Sequence, residues 1–124
     1  MTINEWSDAT AMAEAVQNKT VSPRELVEAT IREAERTNPK INAIVSQRYE
    51  KALKEAETRD FSERPFAGVP IFLKDLGQEQ AGEPSTAGSR LFTSYRATET
   101  DNYVKKLEKL GFIILGRSST PEFG

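Results

Sequence analysis

The sequence predicts an α/β fold in which N-terminal helices lead into the first βαβ unit of a larger sheet. Two observations carry this. All seven glycines lie at or after Gly68, whereas residues 1–64 contain none and are rich in Ala, Glu, Arg and Lys at helical spacing. After Pro65 the apolar residues form short continuous runs, around Val69 to Leu73 and Phe112 to Leu115, as strands buried on both faces do. The break near Arg64–Pro65 separates a helical segment, 1–64, from the start of an α/β core, 65–124.

Ala9, Met12, Ala13 and Val16 recur at i, i+3, i+4 and i+7, which predicts a first amphipathic helix ending near Lys19. The second helix has a clear start: Ser22 as N-cap, Pro23 at the first helical position, and Glu25 completing a capping box. Val27, Ile31 and Ala34 mark its buried stripe. Asn38–Pro39 reads as its stop, because the residue before a proline is pushed out of the α region. A third helix is expected from about Ser46 to Thr58, with Tyr49, Leu53 and Ala56 inward and Lys51, Lys54 and Glu55 in solvent. Gly68–Leu73 reads as a strand with Pro70 near its start, where a missing ladder donor is tolerated. A loop follows from about Gly77 to Ser94. A fourth helix is predicted over roughly Thr100–Leu110, with Tyr103, Leu107 and Leu110 as its stripe and Gly111 as its stop. Phe112–Leu115 is the second strand. Strand, crossover helix and strand make a parallel unit, which belongs in a sheet covered on both faces. Two strands leave open edges, and the chain reaches Pro121–Gly124 directly after the second, so the fold reads as truncated.

Composition narrows the chemistry. The chain has 124 residues, 17 Lys+Arg against 19 Asp+Glu, and neither His nor Cys. A Ser-His-Asp triad, a cysteine nucleophile, a disulfide framework and the usual zinc ligand sets are therefore excluded within it. No basic excess is present in either half, so nucleic acid is not an expected partner. Glu5, Asp8 and Glu14 stand where a secretory signal would be apolar, and no run is long enough to cross a bilayer. A cytoplasmic protein that does not engage membranes is expected.

Gly77 and Gly82 have phosphate-loop spacing, but Glu83–Pro84 stands where Lys and Ser/Thr would be needed, so that reading fails. Lys105, Lys106 and Lys109 read as a solvated helix face. Lys74 is the informative residue. It directly follows an apolar strand, between Leu73 and Leu76 with Asp75 alongside, and a strand end in a cleft could bury it. A lysine in water titrates near about 10.4, so one that accepts a proton at neutral pH needs such desolvation. On residue physics alone, a strand-terminal lysine reaching to water is the simpler reading. The loop Pro84-Ser85-Thr86-Ala87-Gly88-Ser89-Arg90 concentrates hydroxyls, which beside a neutral lysine suggest Ser-Lys chemistry; such residues are also ordinary loop formers.

The ordered series Gly68-Val69-Pro70, Lys74-Asp75, Thr86 to Arg90, the helix from Asp101 to Gly111, and Ile114-Leu115-Gly116-Arg117-Ser118-Ser119-Thr120-Pro121-Glu122-Phe123-Gly124 resembles the amidase signature family. Ser22–Pro23 and the Asn38-Pro39-x-Ile41-Asn42-Ala43 run are similar to that family's opening segment, so the likeness covers the whole chain. The run Phe72 to Gly77 with Gly82 to Ser89 looks more like the 6-aminohexanoate cyclic-dimer hydrolase subgroup. Leu76 stands where glutamine amidotransferase A subunits usually show asparagine, and Arg117 where many members carry lysine. The resemblance implies a large mixed sheet and an amidohydrolase that uses a Ser, cis-Ser, Lys triad, without cofactor or metal.

Lys74 matches the family's lysine. Ser85, Ser89, Ser118 and Ser119 do not match its serines, which belong to a later Gly- and Ser-rich segment that also supplies the oxyanion hole. The expectation is therefore the N-terminal part of an enzyme that cleaves the C–N bond of a small-molecule amide, inactive as this chain alone and prone to self-association through its uncovered sheet. The alternatives are an amidotransferase A subunit and a non-enzymatic remnant or interaction module.

Overall fold

The computed structural model describes Asn4 and residues 6–124; Glu5 lies outside the described residues. Helix α1 covers Ala9–Gln17 and α2 Pro23–Ile41, followed by strand β1, Ile44–Gln47, and α3, Tyr49–Thr58. Strand β2 is Pro70–Lys74, α4 is Asn102–Leu110 and β3 is Ile113–Ser118, with a short 3₁₀ turn at Arg90–Phe92 in the long connection before α4. The sheet order is β1-β3-β2, with β3 parallel to β2 and antiparallel to β1. The predicted β2-α4-β3 crossover is present inside a mixed sheet.

The capping box at α2 forms as its residues dictate. The Ser22 N–H donates to Glu25 Oε2 at 2.8 Å, and the Glu25 N–H donates to Ser22 Oγ at 3.2 Å. These bonds favour the ionised carboxylate and hold Glu25 below the usual glutamate range. The helix does not stop at Asn38–Pro39. It runs to Ile41 and ends on a left-handed Asn42, whose N–H donates to the Asn38 carbonyl at 2.7 Å. Pro39 lies in the final turn, where only one helical donor is lost. The Asn38 side chain instead pairs with the next strand, accepting from the Ile44 N–H at 2.8 Å.

Strand β1 is the element the helical reading of Ser46–Thr58 misses. Ile44 and Val45 are β-branched, but four residues are too few to show alternation. Pairing with β3 decides their state. The turn into α3 is closed by Gln47, whose Oε1 accepts from the Tyr49 N–H at 2.9 Å, since Arg48 provides no side-chain cap.

The core has two layers divided by β3. On one face Val27, Ile31, Ala52 and Ala56 pack against Ile113 and Leu115, flanked by Tyr49, Leu53 and Phe72. On the other, Val104 of α4 packs on Leu73 and Ile114, with Ile71 and Leu107 beside them. The expected α4 stripe is thus rotated: Tyr103 is 56% exposed and Val104 is fully buried. The helix begins at Asn102 rather than Thr100, and Val104 rather than Tyr103 joins Leu107 against Leu73 and Ile114. The helical half is clamped to α4 by two arginines. Arg59 donates to the carbonyls of Phe112 at 2.8 Å and Glu108 at 2.6 Å, and Arg64 to that of Lys109 at 2.6 Å, satisfying the helix C-terminus. No helix among the described residues is long and apolar enough to cross a membrane.

Candidate active site

Lys74 closes β2. Ile71 and Leu73 face α4 while Phe72 faces α2 and α3, so alternation places Lys74 on the side of Phe72 at the strand end. Its Nζ donates to the Ser119 carbonyl at 3.1 Å, and its N–H donates to Gln78 Oε1 at 3.0 Å. Lys74 is exposed rather than buried. The reason is topological: β2 is an edge strand, so its last residue has sheet neighbours on one side only.

Asp75 is the buried neighbour. Its Oδ1 accepts from Arg117 Nε at 3.0 Å and from the Thr86 N–H at 2.9 Å, and its Oδ2 accepts from the Thr86 hydroxyl. Arg117 is 2% exposed and spends its other donors on the turn after Lys74, reaching the Gln78 carbonyl at 2.8 Å and the Gly77 carbonyl at 2.5 Å. One guanidinium thus holds a carboxylate and two carbonyls of a single turn, which a planar fork of donors is shaped to do.

An irregularity in β3 brings Arg117 there. The register with β2 runs Ile71 to Ile114 and then Phe72 to Gly116, passing over Leu115. Strict alternation would put Arg117 on the face of Ile113 and Leu115, inside the apolar layer of α2 and α3. The extra residue reverses the phase, so Arg117 meets Asp75 while Ser118 lines a groove with Phe72. Gly116 has φ +152°, and a Cβ there would lie 2.2 Å from the Ser46 carbonyl oxygen of β1. Glycine permits both the bulge and the close approach of the strands.

The hydroxyl-rich loop packs against the C-terminal segment. Ser89 Oγ donates to Glu122 Oε1 at 2.8 Å and accepts from the Leu91 N–H at 3.3 Å; the Phe123 N–H donates to the Ala87 carbonyl at 2.8 Å. Ser118 Oγ donates to the Leu73 carbonyl at 3.3 Å. These serines serve local structure, and among the described residues no serine hydroxyl is hydrogen-bonded to Lys74 Nζ. The start of the same loop is anchored through Glu83, which pairs with Lys51 and lies 3.5 Å from Arg48 Nε. Burial alone would lower the Arg48 pKa, but the hydrogen bond and charge of Glu55, together with Glu83, outweigh it and raise the value.

An apolar groove of about 770 Å³ runs between α1, α2 and the sheet, lined in part by Leu26, Ala29, Ile41, Ile44 and Phe72. It does not include Lys74. Among its apolar lining stand the polar side chains of Thr30, Glu33, Thr37, Asn38 and Ser118. The Asp75–Arg117 pair was not apparent from sequence, where Arg117 reads only as a charge-conserving replacement. The available signal was a charged residue within a strand otherwise buried, which requires a partner.

Residues 25–124 match the family model described as Amidase, and the chain belongs to that family. It is 40% identical over 121 residues to the 6-aminohexanoate-cyclic-dimer hydrolase of Paenarthrobacter ureafaciens, covering 96% of this chain and 24% of the relative. It is 39% identical over 122 residues to the lipoamidase of Enterococcus faecalis, covering 97% of this chain and 17% of that protein. The solved structure of a 6-aminohexanoate cyclic dimer hydrolase complexed with substrate superposes with a TM-score of 0.90 at 40% identity, over 98% of this chain and 25% of the other. The chain spans a quarter or less of the length of these relatives.

Proposed function

We propose that this chain is the lysine-bearing N-terminal part of an amidohydrolase that cleaves a carboxamide C–N bond through an acyl-enzyme. Lys74 is the terminal proton acceptor. In this reading the amine of Lys74, once covered by the part of the enzyme that carries the serines, takes a proton from a bridging serine, which takes one from the nucleophilic serine. The nucleophile's oxygen adds to the amide carbonyl carbon, the C–N bond breaks, and the amine leaves with the returned proton. Water then hydrolyses the acyl ester and restores the serine.

The observation that carries the reading is the placement of Lys74. In a chain of the Amidase family, it stands at a strand end with its amine at the surface and its backbone held in a buried ionic turn. The two serines and the oxyanion donors come from outside residues 1–124, so the chain by itself does not turn over. The substrate class is a small carboxamide, with the cyclic dimer of 6-aminohexanoate as the first compound to test because two-fifths of the residues are shared with the hydrolase named for it.

The experiment is a chimaera in which this chain replaces the matched quarter of the Paenarthrobacter hydrolase, assayed beside the 124-residue chain. Amide hydrolysis by the folded chimaera and none by the chain supports the proposal. Serine-dependent hydrolysis by the chain alone, or a folded chimaera without hydrolysis, overturns it.

A further inference from the structure

Arg117 has more specific work than its charge requires. A buried cation needs one anion, and Asp75 supplies it at 3.0 Å. The other two nitrogens are committed to consecutive carbonyls, Gly77 and Gln78, in the turn that Lys74 enters. The Gln78 side chain then accepts the Lys74 N–H at 3.0 Å, so the residue that Arg117 holds by its carbonyl holds Lys74 by its amide oxygen. From the opposite side, the Asp75 N–H donates to the Ser118 carbonyl at 3.0 Å, and the adjoining Ser119 carbonyl receives Lys74 Nζ at 3.1 Å. Both ends of Lys74, backbone and amine, are therefore attached to segments that converge on Arg117.

We propose that Arg117 is a positioning residue for Lys74, fixing the direction of its amine by closing the turn from Asp75 to Gln78 against β3. Thr86 is the auxiliary clamp. Its N–H and hydroxyl both go to Asp75, which orients the carboxylate toward Arg117 and ties the loop carrying Ser85 and Ser89 to the same anion. The inference rests on the reading of Lys74 as the proton acceptor, but its structural content is separate: removing Arg117 alters the lysine amine, to which the guanidinium makes no hydrogen bond. A lysine at position 117 carries the charge to Asp75 on a single nitrogen and cannot reproduce the planar three-way contact.

The test reads the amine directly in the 124-residue chain. The protein is treated with limiting acetic anhydride, and acetylation of Lys74 is quantified by peptide mass spectrometry against the exposed Lys54 and Lys105 as internal standards. The expected result for Arg117→Met is a change of about three- to tenfold in the Lys74 ratio, the size that loss of one hydrogen bond produces. Arg117→Lys is expected to return only part of the change, since it restores the charge on Asp75 but not the contacts to the Gly77 and Gln78 carbonyls. A purely structural arginine would lower the melting temperature and leave the ratio unchanged in the folded variants.

If Arg117→Met does not fold, Thr86→Val replaces it, because that change removes the hydroxyl contact to Asp75, and with it only the acceptor of the Gly88 N–H, while leaving Arg117 in place; a smaller shift in the same direction is expected. An unchanged Lys74 ratio in whichever variant folds overturns the proposal. Failure of the catalytic reading has a different signature: the Lys74 ratio responds to Arg117, but the chimaera with Lys74→Ala keeps its activity.

Discussion

Ser22 and Glu25 show how much a short motif decides at the scale of single residues. Ser22→Ala removes the acceptor for the Glu25 N–H and is expected to cost about 1 kcal/mol in urea unfolding. The pH dependence has a definite sign. Glu25 is held below its ordinary value by the Ser22 N–H and hydroxyl, so the stability linked to its ionisation is complete above about pH 4.5 and lost as pH falls through the depressed value. The gap between parent and Ser22→Ala should therefore narrow in acid; a gap that widens there contradicts the assignment. Gly88 is constrained differently. Its φ is +66°, and a Cβ would lie 2.5 Å from the Thr120 carbonyl oxygen, which belongs to backbone and cannot swing away. Gly88→Ala should loosen the 84–90 loop from the C-terminal segment, read as faster limited proteolysis within the loop. Arg117→Met, which leaves Asp75 buried without its cation, is expected to cost about 3–5 kcal/mol, measured by chemical denaturation.

Between elements, β3 carries most of the organisation, since it is the central strand and is buried on both faces. Leu115→Ala should cost about 2–5 kcal/mol by opening a cavity beneath α2 and α3. Tyr103→Ala, on the face of α4 that the structure turns outward, should stay within about 0.5 kcal/mol. The helices were legible because each repeats a period over several residues, the two strands because each is a continuous apolar run, and boundaries such as Ser22–Pro23 and Gly111 carry chemistry with a known cause. Strand β1 was not, because four residues at a sheet edge owe their state to a partner more than seventy positions away, Ile44 with Ser118. The rotation of α4 was missed because Tyr103 and Val104 both fit an apolar stripe with Leu107 and only packing on Leu73 and Ile114 decides between them. For the site, Lys74 was singled out by its place after an apolar strand, and the role proposed for it came from the family resemblance. Its exposure matches the simpler reading of residue physics, but the Asp75–Arg117–Thr86 cluster was not legible, since it depends on the bulge at Gly116, which shifts the phase of β3 with no trace in local periodicity.

At the scale of the whole molecule, the three-stranded sheet has β1 and β2 as open edges. Val45 is 51% and Ile41 62% exposed near the β1 edge, beside the apolar groove that reaches Phe72. Uncovered apolar surface of this kind favours association. Sedimentation velocity on the 124-residue chain is expected to show a concentration-dependent oligomer, and a monomer at all concentrations would contradict it. The central claim is that this part of the molecule supplies the proton acceptor for amide hydrolysis from Lys74. It is tested most directly by kcat/KM of the chimaera with Lys74 and with Lys74→Ala, each checked for the same melting temperature. The account predicts a loss of about 10²- to 10⁴-fold on removing the amine. A folded Lys74→Ala chimaera that retains its hydrolysis would contradict it.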